Sequence, residues 1–363
     1  MTNIIDWLHS LRPGILEFLS KLRHPEHPGF YSYSLSGDIF DHRITRWGLG
    51  NTVFAAKTYY MLDVLDSANL QEMAAFIKSF QIEDGHIFDP LVQKRSRARR
   101  YFNAIRNRDF NNFWGRQTRL AETRQAFAAL RCLGFRPNDP YLHIPYTKSG
   151  IVRYIHSLNW RLPWGAGSHF SHLIFFLRNN FKLFHIHAED IEELLEFAFK
   201  EVNQYRQRDG TWCEPGISLP DFQKVNGAMK MMIAYDVAEK DDFDNPESLI
   251  DLCLSVINDG NACNNFNIIC VLYNCFKRTA YRKDEVINFC LSRLEIYKKY
   301  WWPEFGGCSF FPDRANKVYY GAKISKGLPE PDIHGTHLYL WGIVLISKIL
   351  NLNNDLNFKV PIT

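Results

Sequence analysis

Strand signals are nearly missing from this 363-residue chain: no stretch joins period-two alternation to β-branched enrichment, which leaves a mostly helical fold. No apolar run reaches the length of a membrane span. The opening residues Met1-Thr2-Asn3-Ile4-Ile5-Asp6-Trp7 lack the basic start, apolar run and cleavage site of a secretory signal. No CxxC pair occurs either. The eight cysteines are scattered, and Cys253, Cys263, Cys270, Cys275 and Cys290 fall mostly in apolar helical contexts, where a thiol acts as a small hydrophobe. These absences together point to a reduced, cytoplasmic setting. Net charge is small, at +4.

What the chain does have is a repeat. Six times an amphipathic stretch runs into a turn rich in Gly, Pro and aromatic residues, and a more apolar stretch follows. The turns include Pro25-Glu26-His27-Pro28-Gly29-Phe30, Gln81-Ile82-Glu83-Asp84-Gly85-His86 and Trp160-Arg161-Leu162-Pro163-Trp164-Gly165. Further on come Gln207-Arg208-Asp209-Gly210-Thr211-Trp212, Asn258-Asp259-Gly260-Asn261 and Pro303-Glu304-Phe305-Gly306-Gly307-Cys308. Gly admits positive φ where a helix ends, and Asp-Gly is a strong turn pair. Outer helices are predicted at 3–23, 68–81, 148–158, 190–206, 246–258 and 284–300. Inner helices are predicted at 48–65, 121–134, 166–178, 225–238, 262–277 and 333–350. The inner set is apolar nearly all round, which marks burial on every side. The outer set segregates charge, with Glu189, Asp190, Glu192, Glu193 and Glu196 set against Ile191, Leu194, Leu195, Phe197 and Phe199. Paired helices that cannot bury their faces alone must close on one another. The expected fold is therefore all-α, a single (α/α)6 toroid over 1–363: a double barrel of inner and outer helices, with long insertions at 86–120 and 308–331.

In such a barrel the starts of the inner helices converge. Those starts are polar: Asn51 and Thr52; Glu122, Thr123, Arg124 and Gln125; Ser168, His169, Ser171 and His172; Asp221, Gln223, Lys224, Asn226 and Lys230; Asp259, Asn261, Cys263, Asn264, Asn265 and Asn267; Asp332, His334, Thr336 and His337. Asp332, Asp221 and Asn261 suit N-caps. His169 with His172, and His334 with His337, each share a helical face, and imidazole suits proton transfer or metal ligation. Helix N-termini together with Arg124, Lys224 and Lys230 favour an anion, such as a diphosphate or carboxylate. His334 and His337 are the expected acid/base pair, with Asp332 orienting one of them and His169 and His172 opposite. Arg124 and Lys230 neutralise substrate charge. Asn226, Gln125, Asn265, Trp212 and Trp47 complete the expected binding set.

The Gln-x-x-Asp-Gly-x-x-Phe turn at Gln81, the Gln-x-Asp-Gly-x-Trp turn at Gln207 and the helix opening Pro331-Asp332-Ile333-His334-Gly335-Thr336 resemble repeats of the terpene cyclase and protein prenyltransferase toroids. That resemblance implies acid/base chemistry on an isoprenoid or diphosphate-bearing substrate in a central cavity. The acidic motif of protonating cyclases is not reproduced, since Asp241-Asp242-Phe243-Asp244 has a different order and lies at the far end of its helix. Asp259, Cys263 and either His334 or His337 follow the order of the prenyltransferase zinc ligands, although Gly335 stands where that histidine belongs. Zinc is the cofactor this likeness would imply, and no metal is assigned. Trp212-Cys213 and His334-Gly335 weakly echo the lanthionine cyclases, another zinc toroid.

Two other functions draw on the same inventory. A carbohydrate-active toroid, such as a uronate lyase, epimerase or glycoside hydrolase, would use the aromatic, His, Tyr and Arg side chains on an anionic saccharide. A non-catalytic binding scaffold is the other. The insertion also carries Lys94, Arg95, Arg97, Arg99, Arg100, Arg106, Arg108, Arg116 and Arg119 among Tyr101, Phe102, Phe110, Phe113 and Trp114. Peripheral membrane contact through 94–119 is one use for it; nucleic acid is disfavoured, because no recognised nucleic-acid motif accompanies it.

Overall fold

A computed structural model describes residues 2–38, 47–64, 67–187 and 190–363; residue 65, the last of the helix expected at 48–65, and Glu189 lie outside them. Helices dominate: α1 (Thr2–Leu22), α2 (Leu49–Met61), α3 (Ser67–Lys78), α4 (Pro90–Arg95), α5 (Arg97–Asn107), α6 (Arg116–Cys132), α7 (Lys148–His156), α8 (Pro163–Phe184), α9 (Ile191–Val202), α10 (Asp221–Ala238), α11 (Pro246–Ser255), α12 (Ala262–Phe276), α13 (Lys283–Lys298), α14 (Ile333–Ile349) and α15 (Asn353–Leu356). Strands are two residues long. β1 (Trp301–Trp302) pairs antiparallel with β2 (Gly307–Cys308), and β3 (Val318–Tyr319) with β4 (Ala322–Lys323).

Each stretch predicted as an outer or inner helix is helical among the described residues, and the differences lie at the ends. α8 starts earlier than expected, because Pro163 sits at the first helical position, where its missing N–H costs nothing. Asp332 and Asn261 cap their helices as expected, accepting from the amides of Gly335 and Asn264. Asp221 does not: it lies inside α10, and its carboxylate is 3.3 Å from Lys224.

Helices α2, α6, α8, α10, α12 and α14 are buried around most of their circumference, and each packs on the next, with α14 packing again on α2. Outside them, α9 buries Ile191, Leu194, Leu195, Ala198 and Phe199 while Glu192, Glu193 and Glu196 stay in water. Aromatic pairs such as Phe170–Phe199 and Tyr297–Tyr339, with ring centroids 5.4 and 4.8 Å apart, join outer helices to their inner neighbours.

Four of the six turns share one construction. The end of an outer helix bridges to a residue just past the glycine: Arg23 with Tyr31, Gln81 with Ile87, Arg206 with Trp212 and Trp301 with Cys308. A threonine inside an inner helix then holds the turn from within in three of them. The Thr52 hydroxyl donates to the Gly29 carbonyl at 2.8 Å, that of Thr123 to Ile87 at 3.2 Å and that of Thr336 to Cys308 at 3.1 Å. These polar residues a turn into the helix therefore satisfy turn backbone. In the sixth unit the glycine does more. Gly306 has φ +78°, and a Cβ there would overlap the carbonyl of Gly14 in α1, so the last turn lies directly on the first helix.

Candidate functional site

Helices buried on every face ought to be apolar, yet these carry cations. Lys57 on α2 is fully buried, and its ammonium donates to the Gln125 side-chain oxygen on α6 without any carboxylate. Arg124 on α6 is 3% exposed, lies 5.2 Å over the ring of Phe175, and leaves Nε and Nη2 without a hydrogen bond. Lys230 on α10 has no hydrogen bond or ion pair among the described residues. Burying a charge without a counter-charge is costly, so such groups give up protons or wait for an anion. Burial, together with repulsion from Arg124, lowers Lys57 to about 7 and Lys230 to about 8; burial lowers Arg124 to about 10.

The histidines stand among these cations. His169 and His172 on α8 meet edge to face with centroids 5.2 Å apart. Burial and then Lys230 bring His169 down to about 4, and burial, His169, Arg124 and Lys230 hold His172 well below its usual range. On α14, His334 stacks on Phe54 at 4.4 Å, and its Nδ1 is 3.4 Å from the Tyr33 hydroxyl; burial lowers it to about 3. His337 is held well below its usual range by burial, Lys57 and His334, and its Nδ1 has no partner. All four are therefore neutral bases at pH 7.

Gln125, Lys230, Cys263 and His334 are half-buried, while desolvation dominates the shifts of Lys230, Cys263 and His334. Each keeps some accessible surface although its helix is otherwise largely buried. Phe54, Phe310 and Tyr319 surround the His334 ring, and Trp341 lies beside His337. The hairpin β3–β4 packs against this group through Tyr319, and its Tyr320-Gly321 tip has φ +45° and +86°, the left-handed pair a two-residue turn requires. Tyr320 lies within electrostatic reach of Arg124 and also lines an outer cleft of about 440 Å³, shared with Arg99, Arg100, Thr118 and Ala166.

Arg124, Lys230, His169, His172, Lys57, His337 and His334 thus form a chain of neighbours within electrostatic reach of one another. The remaining expected residues are occupied elsewhere. The Asp332 carboxylate accepts the backbone amides of Gly335 and Phe310 at 2.8 Å and of Asn316 at 3.1 Å rather than a histidine ring. Asn226 accepts from Asn258 and Asn267, and Asn265 donates to the Asp259 and Asn261 carbonyls and the Tyr339 hydroxyl. Trp212 is buried beneath Arg206, with the guanidinium 4.9 Å from its ring centroid, and Trp47 packs edge-on against Phe30. Asp259 and Cys263 do not meet a histidine in any metal-capable group of three among the described residues. The group that does form among the described residues is Asp84, His86 and His143, with ligand atoms within 4.8 Å of one another.

Sequence reasoning missed Lys57, Tyr33, Tyr319 and Tyr320. Lys57 carried a readable signal, a lone lysine one turn beyond Val53-Phe54 on a helix predicted to have no wet face.

The depressed histidines give a test by difference. The unfolded chain binds a proton below about 6.5, whereas folded His169 does so only near 4, so its contribution to stability is lost as pH falls through that window. Half-buried Asp38 and buried Asp332, raised by desolvation to about 8 and 7, act with the opposite sign and flatten the whole-protein curve. His169→Gln should therefore gain on the wild type by about 1.4 kcal/mol per pH unit between 6.5 and 4 in urea titrations. Parallel curves would mean that His169 is not held neutral.

No protein-family model matches this sequence, and no curated protein matches it.

Proposed function

We propose that the paired helices close into one (α/α)6 toroid over residues 1–363, and that the protein is an enzyme of the terpene cyclase and prenyltransferase type acting on an isoprenoid diphosphate in the central cavity. The circuit of contacts from α2 back to α2 and the seat of Gly306 on α1 support the closed form. The observation that carries the function is the trio Lys57, Arg124 and Lys230: two buried cations on the neighbouring helices α2 and α6 and a half-buried one on α10, with no carboxylate partner among the described residues. They bind the diphosphate and take up its charge as the carbon–oxygen bond breaks and the electron pair leaves with it. Phe54, Phe310, Tyr319 and Trp341 enclose the hydrocarbon, and neutral His334 or His337 accepts the proton that the resulting carbocation gives up. An enclosed aromatic cavity suits a prenyl chain better than the open polar cleft a polysaccharide needs.

Isothermal titration with geranylgeranyl diphosphate, the parent alcohol and an oligouronate tests this reading. Diphosphate should bind at least tenfold more tightly than alcohol, and its affinity should fall roughly tenfold, about 1.4 kcal/mol, from pH 6 to 9 as Lys57 and Lys230 lose protons. His334→Ala should abolish product formation and leave diphosphate affinity within a few-fold. Preference for the oligouronate, or equal affinity for alcohol and diphosphate, would overturn the proposal.

A further inference from the structure

We infer that residues 90–119, centred on α5, form a docking face for an anionic lipid bilayer. The segment holds nine cations and the single acid Asp109, a net of +8 in a chain of net +4, so the remainder carries −4. Lys94, Arg97, Arg99, Arg106, Arg108 and Arg116 are exposed, and none of them is in an ion pair among the described residues. Between them stand large apolar side chains in water: Phe102 at 63% exposure, Ile105 at 68%, Phe110 at 61% and Trp114 at 70%. Phe102 and Ile105 are three apart on α5 and turn away from buried Ala104, while Tyr101 is held back by stacking on Phe113 at 4.3 Å. Apolar residues along the crest of a short helix with arginines on its flanks are the pattern of a helix lying in a headgroup layer.

Charge alone would equally suit a nucleic acid, and the apolar crest decides between them. Phosphates would engage the arginines, yet aliphatic Ile105 has no π-face for a base and would remain in water. A bilayer takes both parts, guanidinium groups at the headgroups and the four apolar side chains beneath them. Among the described residues no helix is long and apolar enough to cross a membrane, so the contact is peripheral. The outer cleft beside Tyr320 has α5 as one wall, through Arg99, Arg100, Asn103 and Asn107. Docking would bring that cleft up to the bilayer. The docking face does not depend on the catalytic proposal, because vesicle binding is read without substrate.

The test is co-sedimentation of the full chain with phosphatidylcholine vesicles and with vesicles containing about one-third phosphatidylglycerol. Binding is expected to the anionic vesicles only, and should fall steeply as salt shortens the screening length. The charge-neutral triple variant Phe102→Ser, Ile105→Ser, Trp114→Ser, with unchanged far-ultraviolet circular dichroism, should lose at least tenfold in vesicle affinity. The blue shift of tryptophan fluorescence on adding vesicles should vanish in Trp114→Phe. The proposal fails if the anionic vesicles are not bound, if the triple variant binds as well as the wild type, or if duplex DNA or RNA strips the protein from the vesicles and binds the triple variant undiminished.

Discussion

Replacing Lys57, Arg124 and Lys230 together with methionine is expected to raise the unfolding midpoint and to abolish diphosphate binding. Ordinarily a triple change in buried side chains destabilises a protein. Here each native group pays desolvation without a counter-charge, and the native state relieves this only by depressing the affinity of the two lysines for protons. Methionine keeps the length and flexibility of the side chain and removes the charge. Substituting buried ions by apolar groups of similar volume is neutral to stabilising by about 1–4 kcal/mol. One loss opposes it, since the Gln125 oxygen that accepts from Lys57 would be left unpaired, at a cost of about 1–3 kcal/mol. Lys57→Gln, which can still donate to Gln125, separates the two effects. A variant that unfolds earlier and still binds the diphosphate would make the three cations structural, and the site would have to be sought elsewhere.

Gly306→Ala is expected to cost far more stability than a methyl added at a left-handed glycine with open space around it. Two penalties coincide there. The left-handed conformation at φ +78° costs a residue with a Cβ about 1–2 kcal/mol, and the new methyl would overlap the backbone of Gly14, which cannot rotate aside. Gly134 supplies the control, with φ +80° and open space around it, so Gly134→Ala suffers the conformational penalty alone. Chemical denaturation of both variants measures the difference, and that difference is the strength of the contact between last turn and first helix. Equal losses would mean that α1 moves away freely, and with it would go much of the support for a closed toroid.

The helices were legible because burial writes itself into periodicity. α9 keeps its glutamates on one side and α14 has no wet side, and either pattern can be read without coordinates. Turns were legible where Asp-Gly marks a left-handed glycine, as at Gly85 and Gly210. They were less so at Gly165, which lies in the first turn of α8, and at Gly260, which is not left-handed. Within the candidate site, composition separated polar from apolar but could not assign roles. Asp332 satisfies the capping pattern and the catalytic pattern equally well, and only the three amides around its carboxylate distinguish them. Tyr319 and Tyr320 escaped because two-residue strands are too short to show alternation. Asp84, His86 and His143 escaped for a different reason, since His143 comes from a separate loop held next to the first by the approach of Gly85 to Pro140.

The seat of Gly306 on Gly14 also sets an order of events during synthesis. At roughly 5–20 residues per second, α1 leaves the ribosome some tens of seconds before the turn that will cover it. Through that interval Leu8, Leu11, Ile15 and Phe18, all buried at the end, have no permanent shelter. A nascent chain of this design must either be escorted by a chaperone or park its first helix on a provisional neighbour, and release of the finished C-terminal third becomes the moment at which the structure locks.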